Sequence, residues 1–255
     1  ISNEVSRRGE IDLSCSFHLH LGNVPDSKLF LVSIYVLCLK IQNEMFTMFP
    51  YYKTDPTGVK KKNYNQKLKK MSIYPLVDCS KEGYNMYIDD VYNKIFSFLT
   101  EGATPDATFN RQRRRHPVQQ KWNRNSRYYW MNLMNMIFSE RNTVEFRLHT
   151  PTTNSQKMIN WLFICNAIVR YAEINAKDII CGKSRITMED VLNYYSTTFK
   201  GDSKAEFLSE YLYAYFLERQ KEFEEDRQRG DYVSAWDMEK DKSYKFTYKN
   251  VSHLF

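Results

Sequence analysis

Two short stretches carry residues that could do chemistry together. In Ser16-Phe17-His18-Leu19-His20-Leu21-Gly22, two histidines stand two positions apart. In Thr143-Val144-Glu145-Phe146-Arg147-Leu148-His149, an acid, an arginine and a histidine alternate with apolar residues. A β-strand turns successive side chains to opposite faces. On that spacing His18 and His20 share one face of the first stretch, and Glu145, Arg147 and His149 share one face of the second. Phe17, Leu19 and Leu21 then point to a core, as do Val144, Phe146 and Leu148. Ionisable groups on a strand face are costly to bury unless they meet partners, metal or substrate. The expected arrangement is a sheet that presents both polar faces to one site.

The chemistry open to these residues differs. Paired imidazoles can bind a metal or hold phosphate, and they can equally be hydrogen-bonded to their neighbours. Glu145 could ligate Mg²⁺, which takes carboxylate oxygens and keeps several waters. Arg147 could clamp a phosphoryl or carboxylate group with its planar fork. The plainer alternative for both is an ion pair with each other or with a neighbouring strand. His149 could equally be a surface residue at the strand end. No Gly-rich phosphate loop and no G-x-S-x-G nucleophile turn is present, so the common nucleotide-loop and hydrolase classes are not indicated.

Composition bounds the rest. At 255 residues, 42% hydrophobic and 15% aromatic, the chain can bury a substantial core as one large or two small domains. A net charge of +7 suits an anionic partner, although a modest excess also describes a solvated surface. The five cysteines are odd in number and share no metal-type spacing, which fits a reducing, cytoplasmic setting. The longest apolar run, residues 29–39, is too short to span a bilayer, and no signal peptide is visible. Because the first residue is Ile1 and not Met, a processed or partial chain is expected.

Taken in order, residues 14–22 read as a strand, and Pro25-Asp26-Ser27 opens a buried helix over 28–49 that Pro50 stops. Residues 51–74 are rich in Lys and Tyr and read as a basic loop with a short helix. A helix follows over 87–100. Residues 102–127 are polar and basic, with Arg111, Arg113, Arg114, Arg115, Lys121, Arg124 and Arg127, and read as a loop overhanging the site. Residues 127–138 hold Asn132 and Asn135 among apolar neighbours. After the central strand, Asn154 or Ser155 caps a core helix to about residue 176. Residues 179–185 read as a linker. Thr187 caps a helix to about 199, and Ser203 with Glu206 opens a last helix to about 229. Its inner face is expected to carry Phe207, Leu208, Tyr211, Leu212, Tyr215 and Phe216.

SCSFHLHLGN, followed by a long apolar helix, resembles the H-V-H-V-G segment of the amidoligase family. RYYWMN and then TVEFRLHTPTTNSQKMINWLFICNAIVRYA resemble that family's second signature, an Arg-Tyr…Asn segment, a T-V-E-F-R strand, a loop and a helix with a central Trp. The resemblance covers residues 13–50 and 127–176. It implies an ATP- and Mg²⁺-dependent carboxylate–amine ligase with a fold like glutamine synthetase and glutamate–cysteine ligase. By that likeness Glu145, Arg147 and Arg127 would be catalytic. His18, His20 and Arg147 would contact the nucleotide, and Glu145, His18 and His20 would stand at the metal. The family's early G-x-E-x-E strand has no counterpart here, since Gly9-Glu10-Ile11-Asp12 has a different spacing. That leaves either an N-terminal part outside this chain or a fold relative that no longer catalyses.

The expectations are therefore an α+β fold, with a mainly antiparallel sheet bearing helices on one face. Residues 1–176 would form a partial amidoligase-like core and 177–255 a helical C-terminal extension. The function expected is amide-bond formation between a carboxylate and an amine, of amino acid or peptide type, through an acyl phosphate. The alternatives are a non-catalytic interaction protein that keeps the ligase fold, or nucleic-acid binding through residues 111–127. No membrane partner is expected.

Overall fold

The computed structural model describes residues 17–50, 67–68, 73, 76, 80–99, 129–138, 142–182 and 185–229. In chain order these form β1 (Leu19–Leu21), α1 (Lys28–Thr47), α2 (Lys81–Leu99), β2 (Met131–Asn132), α3 (Met134–Phe138) and β3 (Val144–Phe146). The chain continues through α4 (Ser155–Ile174), α5 (Ala176–Cys181), α6 (Met188–Leu192), α7 (Tyr194–Thr198) and α8 (Ser203–Arg229). The fold is α+β. Its sheet is small, with β3 in the centre and β1 and β2 antiparallel on either side. The basic run 102–127, with Arg127, lies outside the described residues, as do residues 51–66 and the segment 1–16.

Helix α1 begins where Ser27 accepts a hydrogen bond from the Phe30 amide at 3.1 Å. That satisfies one of the amides a helix start leaves free. Its apolar residues surround the axis because α2, α4 and α5 pack around it. Among the described residues it is the helix long and apolar enough to cross a membrane, but 67% of that stretch is buried inside the protein. Polar links fix its neighbours. Ser33 Oγ donates to the Ala172 carbonyl of α4 at 2.7 Å, and Lys40 Nζ donates to the Ile179 carbonyl of α5 at 2.8 Å. Glu44 accepts from the Met188 amide at the start of α6 at 2.9 Å.

Asn154 caps α4 by accepting from the amides of Gln156 (2.9 Å) and Lys157 (3.2 Å). Asn154→Ala is expected to lower unfolding stability by about 1 kcal/mol, read by urea denaturation. An unchanged midpoint would remove the cap from the account of this helix.

The later chain departs from the expected boundaries at several points. The expected linker, 179–185, begins inside α5, whose second half buries Ile179 and Ile180. Thr187 does cap a helix, with Asp190 completing a capping box, but that helix breaks at Asn193. The cause is Ser209 of α8. Its hydroxyl donates to the Leu192 carbonyl at 2.9 Å and accepts from the Ser196 amide at 3.0 Å, so it stands between two groups that would otherwise bond each other. Helix α8 is capped by Asp202, whose carboxylate accepts from the Lys204 amide at 2.8 Å, one residue before the expected Ser203. Phe207, expected on its inner face, is 52% exposed, whereas Leu208, Leu212, Tyr215 and Phe216 are buried. Buried residues of α5 to α8 join the same apolar cluster as α1, α2 and α4.

Candidate functional site

Strand register assembles the site. Glu145 of β3 is paired with His20 of β1 and with Asn132 of β2, so three polar side chains lie in one row across the sheet. One pleat further along the same face come His18 and Arg147, which the antiparallel register sets opposite each other. The adjoining row is Leu19, Phe146 and Met131 on the other face, with Phe146 and Met131 buried. A slip of one residue would exchange these faces, so the apolar row holds the polar row in place.

Three nitrogen groups converge on one oxygen. Glu145 Oε1 lies 2.5 Å from Arg147 Nη1, 3.2 Å from His18 Nδ1 and 3.7 Å from His20 Nε2. The other oxygen, Oε2, accepts from Asn132 Nδ2 at 2.8 Å. The Glu145 side chain is 7% exposed, while those of Arg147, His18 and His20 are 19%, 31% and 45% exposed. The carboxylate is thus the floor of the cluster, and its nitrogen partners form the rim. Burial alone would push the carboxyl up. The hydrogen bond from His18, the Arg147 charge, His20 and the Asn132 amide together outweigh that and hold it at about 2.

The two expected polar strand faces therefore meet. The ion-pair alternative is also realised, since Glu145 pairs with Arg147 and with the neighbouring strand. His149 is a correction. Strand β3 ends at Phe146, so the alternation does not carry to residue 149, and His149 turns inward to be 1% exposed. Its ring packs against Phe17, Phe49 and Trp161, and its Nδ1 lies 2.6 Å from the Thr150 carbonyl.

Sequence reasoning noted Asn132 and Asn135 but gave neither a role at the site, and it gave Thr143 none. Asn132 uses both ends of its amide, Nδ2 toward Glu145 and Oδ1 toward the Met134 amide at 2.9 Å. Asn135 Nδ2 and Thr143 Oγ1 lie 3.3 Å and 3.5 Å from His20 Nδ1. The signal was two amides in an otherwise apolar stretch, which need partners once buried. The buried thiols Cys38 and Cys165 are pushed up by burial, which makes them poor nucleophiles.

Among the described residues no group of three or more His, Cys, Asp or Glu is arranged to hold a metal ion. One buried carboxylate is present instead. That suits the way Mg²⁺ is held beside nucleotides, by one or two carboxylates with phosphate oxygens and water completing the shell. It does not suit a cage made by protein alone. Imidazole is the less fitting donor for that ion, and His18 and His20 are better placed as hydrogen-bond donors on the rim.

Comparison with known proteins bears on the same residues. Residues 65–169 match the model of a family described as "putative amidoligase enzyme", the family whose signatures the sequence resembles. The match takes in β2, β3 and most of α4, with Asn132, Glu145 and Arg147, and also the stretch 65–126. The histidine strand lies outside it and joins the site through strand pairing. Comparison with curated proteins and with solved structures gives no match.

Proposed function

We propose that this protein joins a carboxylate to an amine at the expense of ATP. A carboxylate oxygen of the acid attacks the γ-phosphorus and ADP leaves. The amine nitrogen then attacks the acyl carbon, phosphate leaves, and the amine gives up a proton. The observation that carries this reading is the convergence of His18, His20 and Arg147 on Glu145, within and beside a segment that matches an amidoligase family.

In this reading Arg147 holds phosphoryl or carboxylate oxygens, since only Nη1 is directed at Glu145 and other guanidinium donors remain. His18 and His20 hold the Glu145 carboxylate from the rim, since the nitrogens they turn inward face its Oε1. Arg127 would be a further clamp. Glu145 would be the protein's carboxylate toward a nucleotide-borne Mg²⁺, which supplies charge compensation at the transferred phosphoryl group. Amino acids or peptides are the proposed acids and amines, and a cytoplasmic setting goes with the free, buried thiols of Cys38 and Cys165.

The test is phosphate release from ATP with mixed amino-acid and peptide amines. Release should depend on the amine, and Arg147→Lys should cut it at least tenfold by losing the fork while keeping the charge. Release that ignores the amine would sink the ligase reading. A second reading, a non-catalytic protein keeping this fold, draws on the fact that both Glu145 oxygens already have protein partners. Absence of Mg²⁺-ATP binding in calorimetry would favour it.

A further inference from the structure

We infer that the pair Asn132 and Asn135 positions the site, with Asn132 aiming Glu145 and Asn135 setting the tautomer of His20, so that His20 Nε2 carries the proton that faces the carboxylate. Both residues sit on one short piece of chain, β2 and the start of α3, at Asn-x-x-Asn spacing. A backbone amide can only donate. The bond from the Met134 amide to Asn132 Oδ1 therefore settles which end of that side chain is oxygen, and leaves Nδ2 directed at Glu145 Oε2. With Oε2 held, Oε1 is the oxygen turned to His18, His20 and Arg147.

Asn135 acts on the opposite side of the His20 ring. Its Nδ2 lies 3.3 Å from Nδ1, and an amide N–H needs a lone pair there. In the neutral ring the proton then resides on Nε2, which lies 3.7 Å from Glu145 Oε1. A donor on one nitrogen and an acceptor beyond the other favour the same tautomer. Thr143 Oγ1, 3.5 Å from Nδ1, can donate to it as well. As a device for catalysis this rests on the ligase reading above; the tautomer itself does not.

The test is ¹⁵N spectroscopy of histidine-labelled full-length protein in alkaline buffer, where the ring is neutral, with His20 assigned by its loss in His20→Gln. In the unsubstituted protein, Nδ1 should resonate far downfield of Nε2. Asn135→Leu removes the donor and should lower the Nε2–H to Nδ1–H ratio about fivefold, the worth of one such hydrogen bond. A proton on Nδ1 in the unsubstituted protein would overturn the proposal, because a flipped Asn135 amide would then present its oxygen. An unchanged ratio in Asn135→Leu would overturn it too. Asn135 is only half-buried, and the unsubstituted spectrum decides even if the variant folds poorly. Loss of amine-dependent phosphate release tests the ligase reading and leaves the spectra as they are, so the two can fail separately.

Discussion

Glu145→Gln is expected to cut amine-dependent phosphate release by about 10²- to 10³-fold, the scale seen when one preorganised charge-handling group is removed. The substitution keeps the shape and deletes the charge. It also turns one of the two oxygens into an amide donor. If that donor replaces Oε2 it meets Asn132 Nδ2, and if it replaces Oε1 it meets Arg147 and both histidines. No orientation of the glutamine satisfies both sides. Removing one partner of a buried pair costs 3–5 kcal/mol, and the partly exposed Arg147 can regain water, so about 2–3 kcal/mol of stability should go as well. Activity should fall even at temperatures where circular dichroism shows the variant folded. A variant with full activity would remove Glu145 from the reaction and leave it as an ion-pair anchor.

The same carboxylate sets an acid limit on the fold. Its native value of about 2 lies below the ordinary 4.5, so its contribution to stability is fully present above pH 4.5 and is lost as pH falls toward 2. A shift of that size corresponds to roughly 3 kcal/mol at most. Unfolding stability measured by urea across this window should therefore drop more steeply in the unsubstituted protein than in Glu145→Gln. Parallel pH curves for the two would show that the carboxyl is not held down in the native state.

What the sequence made legible was face, and what it hid was partner. The period-two alternation of β1 and β3 placed His18, His20, Glu145 and Arg147 on polar faces, and pairing of the two strands brought those faces together. Asn132 had no such signal, because β2 is two residues long and too short to show an alternation. Its role appears only once the register sets it opposite Glu145. His149 misled for the converse reason: the alternation runs on in sequence after the strand has ended. The break between α6 and α7 was beyond sequence reasoning altogether. Residues 187–199 carry a capping box and no Gly or Pro, and the Ser209 hydroxyl that divides them comes from another helix. Helix capping was local and so was readable, at Ser27, Asn154 and Thr187.

Trp161→Ala is expected to cost about 3–5 kcal/mol, a large share of the 5–15 kcal/mol that holds a domain folded. The indole, 1% exposed on α4, joins three parts of the chain. It meets Phe49 beyond the end of α1 edge-on at 5.3 Å, Phe146 of β3 at 6.3 Å, and the ring of His149 at 5.5 Å. Phe146 is the residue after Glu145, so a cavity here loosens the strand that carries the site, and activity should fade on warming before global unfolding. Trp161→Phe makes the argument testable by contrast. A phenyl ring keeps most of the contact area and deletes an Nε1–H that has no hydrogen-bond partner among the described residues, a group whose burial costs about 1–3 kcal/mol. The smaller ring and the relief of that donor offset each other, so the phenylalanine variant should lie within about 1.5 kcal/mol of the parent. If both variants lose the same stability in urea, the indole nitrogen has a partner after all, and the aromatic joint behind β3 must be described differently.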